Sequence, residues 1–98
     1  MLETLTFDQM KELVGSTFRL QEQGETHPLT LVSAGKVMES QAARLSRNAF
    51  SLYFLGAHEP VFEQRIYTFD HDTLGQIEMF IVPVGHDAKG MLYEAVFT

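Results

Sequence analysis

Apolar residues recur along this chain at two different spacings. Phe7, Met10, Leu13 and Val14 fall at helical intervals and form one stripe of a short helix. Beyond Gly15 the pattern changes to alternation, the period of a half-buried strand. The first pattern predicts a helix over residues 7–14. Its start is written as Thr6-Phe7-Asp8-Gln9, a capping box in which Thr6 accepts the Gln9 amide and Gln9 reaches back. Leu5 and Met10 stand at the staple positions, and Asp8 sits in the first turn, where the helix dipole favours an anion. Gly15 is placed as the C′ glycine that stops the helix.

The alternating part divides into six predicted strands: residues 17–22, 28–38, a third around Phe50, Leu52 and Phe54, then 65–70, 76–84 and 91–97. Turn residues separate them. They are Gln23-Gly24-Glu25, the 56–60 loop, the 70–75 turn that ends in Gly75, and the Gly85–Gly90 hairpin loop. Ala34-Gly35 reads as a bulge in the second strand. Residues 39–48 read as a connection or short helix. In the fifth strand Phe80, Val82 and Val84 share a side with Gln76 and Glu78, opposite Ile77, Met79 and Ile81. In the sixth, Met91, Tyr93, Ala95 and Phe97 face one way, and Leu92 and Val96 the other. Strands apolar on both faces are covered on both faces. The expected architecture is therefore mainly β: an antiparallel sheet closing into a small barrel of about six strands, with one short N-terminal helix as plug or lid. Residues 1–98 are read as a single domain. Tyr53, Leu55, Phe80, Val82 and Val84 exceed what an eight-residue helix can cover, so a second copy of the chain is expected to cover the remainder. Barrel closure is the competing remedy, because it buries one face of every strand without a partner.

Composition narrows the function classes. With 45% hydrophobic and 20% charged residues, the chain is not a disordered linker. No cysteine is present, which excludes disulfides, thiolate nucleophiles and cysteine zinc sites. Seven Lys and Arg against thirteen Asp and Glu leave a net charge of -6, unfavourable for a nucleic-acid or anionic-membrane partner. Arg44 and Arg47 make only a small local basic spot. The N-terminal residues carry neither a basic region nor an apolar run, and no stretch is apolar enough to span a membrane. The expectation is a cytoplasmic protein.

Candidate chemistry is sparse. No serine lies in a nucleophile elbow, and Gly85-His86-Asp87-Ala88-Lys89-Gly90 lacks phosphate-loop spacing. Asp70-His71-Asp72 could hold a metal, but the simpler reading is a turn in which a carboxylate caps backbone amides. If the strands form a meander, the connections carrying His27, His58 and His86 share one end of the barrel and His71 the other. Three imidazoles with neighbouring carboxylates could bind zinc, against the simpler view that loop histidines are solvated. Glu94 lies within an apolar strand; buried, it would titrate high unless paired, with Arg65 as the candidate partner. Tyr53, Tyr67 and Tyr93 either line a pocket or bury their rings and leave the hydroxyls wet. Gly15, Gly75, Tyr93 and Phe97 are assigned structural roles. Neither a catalytic constellation nor a cofactor is expected.

Several segments in order resemble a family of short bacterial domains. They are Leu13-Val14-Gly15-Ser16-Thr17-Phe18, Phe50-Ser51-Leu52-Tyr53-Phe54, Gln64 with Tyr67, Leu74-Gly75, Phe80-Ile81-Val82-Pro83-Val84-Gly85 with Asp87 and Gly90, and the ending Tyr93-Glu94-Ala95-Val96-Phe97. The family they resemble is the domain-of-unknown-function family 6916. The resemblance implies no activity. It does imply an association with proteins similar to phage-tail collar proteins, and so an accessory or assembly role. The leading expectation is a non-enzymatic module acting through protein contacts. The rival is a small-molecule-binding barrel using Glu94 or the loop histidines.

Overall fold

The computed structural model describes residues 6–36 and 49–97. Helix α1 spans Phe7–Glu12, followed by strands β1 (Thr17–Glu22), β2 (Glu25–Lys36), β3 (Phe50–Gly56), β4 (Arg65–His71), β5 (Gly75–Asp87) and β6 (Gly90–Phe97). The strands close into a barrel in the order β1-β2-β3-β6-β5-β4, every neighbouring pair antiparallel. The expected mainly β barrel with one short helix is therefore the observed fold. The Leu5 staple and the 39–48 segment with Arg44 and Arg47 lie outside the described residues.

Alternation decides which side chains go inside. Phe50, Leu52 and Phe54 of β3 are buried, as are Ile77, Met79 and Ile81 of β5 and Tyr93 and Ala95 of β6. Phe18, Leu20, Leu29, Leu31 and Phe69 complete the wall of the core. Their rings meet edge-on or offset, with Phe18 and Phe54 centroids 5.2 Å apart and Phe54 and Phe69 6.0 Å apart, the arrangements that aromatic quadrupoles favour.

Each end of the barrel is plugged from a different part of the chain. At the end where β1 and β3 begin, α1 inserts Met10, which is fully buried, and rests Phe7 on Phe50. The capping box forms as written, with Thr6 accepting the Gln9 amide and Gln9 accepting the Thr6 amide. At the other end, residues 57–64 cross from β3 to β4 on the opposite wall and set Phe62 against Tyr67, Tyr93 and His27. A meander would have placed β3 beside β4. Here β6 lies beside β3 instead, and the crossing loop becomes a lid.

The helix is shorter than expected, ending at Glu12 with Leu13 as its C-cap. Gly15 therefore stands two residues past the cap, not at C′. It still needs its positive φ of 98°, because there the chain turns so that the Gly15 N–H reaches the Leu31 carbonyl at 2.7 Å. Nothing lies within 4 Å of an added Cβ, so a side chain meets strain but no collision. Gly15→Val is expected to lower stability by about 1 kcal/mol, read as a reduced melting temperature. An unchanged melting temperature would count against this account of the turn.

Three boundaries differ from the sequence expectation. The first hairpin is tighter, with Gln23 and Gly24 alone in the turn at φ of 51° and 79°, so β2 begins at Glu25. The irregularity in β2 lies between Leu31 and Ser33, not at Ala34-Gly35. Strand β5 continues past a second irregularity between Pro83 and Gly85 up to Asp87. That leaves only Ala88 and Lys89 in the last turn, where Asp87 Oδ1 accepts the Lys89 and Gly90 amides at 2.7 and 3.2 Å. Among the described residues, no helix is long and apolar enough to cross a membrane.

Candidate functional site

The lid end of the barrel carries a cleft of about 400 Å³. Its walls are the tip of the β1–β2 hairpin, the 57–64 lid and the start of β4. Phe62 and Tyr67, both buried, contribute the apolar side, and Glu22, His27 and Arg65 the polar side. Arg65 is held from two directions. Its guanidinium donates to both carboxylate oxygens of Glu22, and its centre lies 4.5 Å from the Tyr67 ring. Tyr67 in turn donates its hydroxyl to the Glu63 carbonyl at 2.9 Å. Burial raises the Tyr67 pKa, with Arg65 opposing. A guanidinium on a ring and against a carboxylate is a rigid arrangement, so the β4 start is fixed relative to the hairpin.

The three candidate zinc histidines do lie at this end, because alternating strand directions hold in either topology. They do not come together. His27 packs edge-on against Phe62 with ring centroids 5.0 Å apart and has Nε2 3.6 Å from Glu25. His58 donates from Nε2 to the Asp87 carbonyl at 2.6 Å, tying the lid to the β5–β6 turn. His86 is exposed on β5 opposite Met91. Among the described residues, no three His, Cys, Asp or Glu side chains are grouped to hold a metal ion.

Glu94 faces outward from the barrel wall, as do its cross-strand neighbours Tyr53 and Val82. Its partner is the Tyr53 hydroxyl, which donates to it at 3.0 Å, and not Arg65. Burial raises the Tyr53 pKa, and the carboxylate adds to that rise. Tyr93 points the other way and is completely buried. Its hydroxyl accepts the Phe62 N–H at 2.9 Å, which anchors the lid. Burial raises the Tyr93 pKa, with the Phe62 bond opposing. All three tyrosine hydroxyls are thus engaged within the protein and not left wet, and Tyr67 takes the other expected role by lining the cleft. Phe97 stacks on Phe50 with centroids 5.0 Å apart. Gly75, at φ 77°, closes the β4–β5 turn.

That turn contains the residue whose role the sequence concealed. The expected cap was a carboxylate, but Asp70 accepts from Gln21 at 2.8 Å and Asp72 pairs with Arg19 at 2.9 Å. His71 caps the turn instead. Its Nδ1 accepts the amides of Thr73 and Leu74, and its Nε2 lies 3.0 Å from Ser16 Oγ. A serine beside a histidine suggests a nucleophile and its base, but the geometry opposes that. Nδ1 is occupied as an acceptor, so the neutral ring carries its proton on Nε2 and cannot take one from Ser16.

No characterised protein and no solved structure matches the chain. Residues 5–97 match the family described as domain of unknown function DUF6916, and the chain belongs to that family.

Proposed function

We propose that this domain is a non-enzymatic assembly module that acts in the cytoplasm through protein–protein contacts, first with a second copy of itself. One observation carries the reading: barrel closure buries only the inner face of the wall, and the outer face keeps exposed apolar residues. Ile66 and Phe80 stand opposite each other on β4 and β5 and are 61% and 47% exposed. Val84 of β5 and Val96 of β6 are also exposed. Contiguous exposed apolar surface beyond a few hundred Å² is uncommon on soluble monomers and marks contact sites. The filled interior also favours this reading, since Phe50, Leu52, Phe54, Ile77 and Met79 occupy the space a ligand would need. Family resemblance suggests a phage-tail-collar-like protein as a further partner.

Light scattering tests the reading. The expected result is a mass near two chains at micromolar concentration. For Phe80→Asp we expect a mass near one chain that still unfolds cooperatively, because the residue faces outward from the core. Its melting temperature should fall below the wild type's by the lost dimer linkage and no longer depend on concentration. A wild-type mass near one chain that does not change on tenfold concentration would overturn the dimer. A second reading, ligand binding at the barrel mouth, draws on the cleft bounded by Phe62, Arg65 and Tyr67. It predicts that a bound small molecule raises the melting temperature and that Arg65→Ala removes the rise.

A further inference from the structure

His71 joins three pieces of the barrel end that α1 plugs. Its Nδ1 holds the β4–β5 turn through the amides of Thr73 and Leu74 at 3.0 and 3.2 Å. Its Nε2 holds Ser16, and Ser16 Oγ donates onward to the Leu13 carbonyl at the end of α1 at 2.6 Å. The proton positions follow from the partners. Two N–H donors face Nδ1, so that nitrogen is bare and Nε2 carries the hydrogen. The Leu13 carbonyl can only accept, so the serine proton points there. Each hydrogen in the chain has one consistent place, and that arrangement requires a neutral ring.

The surroundings favour the neutral ring as well. His71 is 5% exposed, with the Phe18 ring centroid 4.4 Å away. The charged groups acting on it are Asp72 on its own turn and Arg19 on β1, and these pair with each other. From the α1–β1 connection it meets only the neutral Ser16, and its cross-strand partner on β5 is Gly75. Burial lowers the His71 pKa, with Asp72 opposing and Arg19 adding to the drop.

We propose that His71 is an acid-released latch: its protonation frees the β4–β5 turn and removes the Ser16 side-chain anchor at the C-terminal end of α1, loosening the helix while the barrel wall stays paired. A proton on Nδ1 would confront the two amides that nitrogen now accepts, so both bonds are lost and the ring must swing out. The Ser16 link goes with it. The connection keeps its backbone bonds to Leu31, and Met10 stays in the core. But α1 has only six residues, so losing the anchor at its C-terminal end is enough to raise its opening. The wall is different, because each strand is bonded on both sides and belongs to the more stable part of the fold.

The sign follows from linkage. The latched state binds its proton less readily than the released one, so opening takes up a proton. The latch is firm above the ordinary imidazole value of about 6.5. As pH falls from there towards the lower latched value, the opening constant grows about tenfold per pH unit.

NMR on the full chain, taken from about pH 8 down through the ordinary imidazole value to about pH 5, enters this window from its firm side. At the upper end we expect ring nitrogen shifts of the Nε2–H tautomer. As His71 titrates, the Thr73, Leu74 and Met10 amides should lose protection beyond the intrinsic pH effect on exchange, while Phe54 and Phe69 keep theirs. His71→Gln, which can accept and donate without titrating, should abolish that loss. Should the glutamine variant fold poorly, Ser16→Ala keeps the titrating ring but uncouples it from α1. Thr73 and Leu74 then still respond to pH and Met10 does not. The proposal is overturned by an Nδ1–H tautomer at neutral pH. It is also overturned if Thr73 and Leu74 keep their protection while His71 titrates, or if the strand amides fail together with α1.

Discussion

Deleting residues 93–98 is expected to abolish cooperative folding and leave insoluble or unstructured protein. Strand β6 lies between β3 and β5 in the closed order. Its removal would unpair Phe50 to Phe54 on one side and Val82 and Pro83 on the other. A closed wall would become an open one with two raw edges, each a template for pairing with another chain. The core would lose Tyr93 and Ala95, both completely buried or nearly so, together with the Phe97 ring stacked on Phe50. The lid would lose its anchor as well, since the Tyr93 hydroxyl accepts the Phe62 N–H. Truncating one large buried aromatic typically costs about 3–5 kcal/mol, against a total stability of about 5–15 kcal/mol for a domain. The deletion combines that loss with broken pairing along both neighbours. Circular dichroism during urea titration measures the outcome. A soluble truncation with a sharp, reversible transition would show that β6 is dispensable.

How much of this could be read from the chain depends on whether a feature is local. The Thr6–Gln9 box is local, and it formed as written. Alternation is local too, so the inward set Phe50, Leu52 and Phe54 and the inward set Ile77, Met79 and Ile81 were both legible. The irregularity at Val32 was not. It arises because β2 pairs with β1 up to Thr30 and with β3 from Thr30 onward, and a residue slipped there depends on both partners. The β3-to-β4 crossing was hidden for the same reason: neighbour choice is set by closure of the whole wall, not by the 57–64 segment. At the candidate sites the shared end of His27, His58 and His86 was predictable from strand direction alone. Their separate engagement with Phe62, the Asp87 carbonyl and the β5 surface was not. His71 was missed because Asp70 and Asp72 flank it, and carboxylates are the usual turn caps. The strand period that turns His71 inward, on the same side as Tyr67 and Phe69, was the signal that could have found it.

Gly90→Ala is expected to be far more damaging than Gly85→Ala, although both glycines flank the same hairpin and both have positive φ, 150° and 158°. Backbone strain is therefore similar at the two positions. The difference is what a methyl group would meet. At Gly85 nothing lies within 4 Å of an added Cβ, whereas at Gly90 the Gly56 carbonyl oxygen would stand 2.0 Å away and its carbon 3.2 Å away. The obstacle is the backbone of β3, which already pairs Gly56 with Met91, so it cannot move without opening the β3–β6 seam. Gly56 itself makes the contrast sharper. An added Cβ there would meet the Leu29 Cδ2 methyl at 2.3 Å, a side-chain end that can rotate aside. Gly85→Ala should then cost strain alone, about 1 kcal/mol, and Gly90→Ala strain plus overpacking, about 2–4 kcal/mol. Urea midpoints at constant m-value give both numbers. Equal costs at the two sites would mean that β6 approaches β3 less closely than the Gly56–Gly90 contact requires.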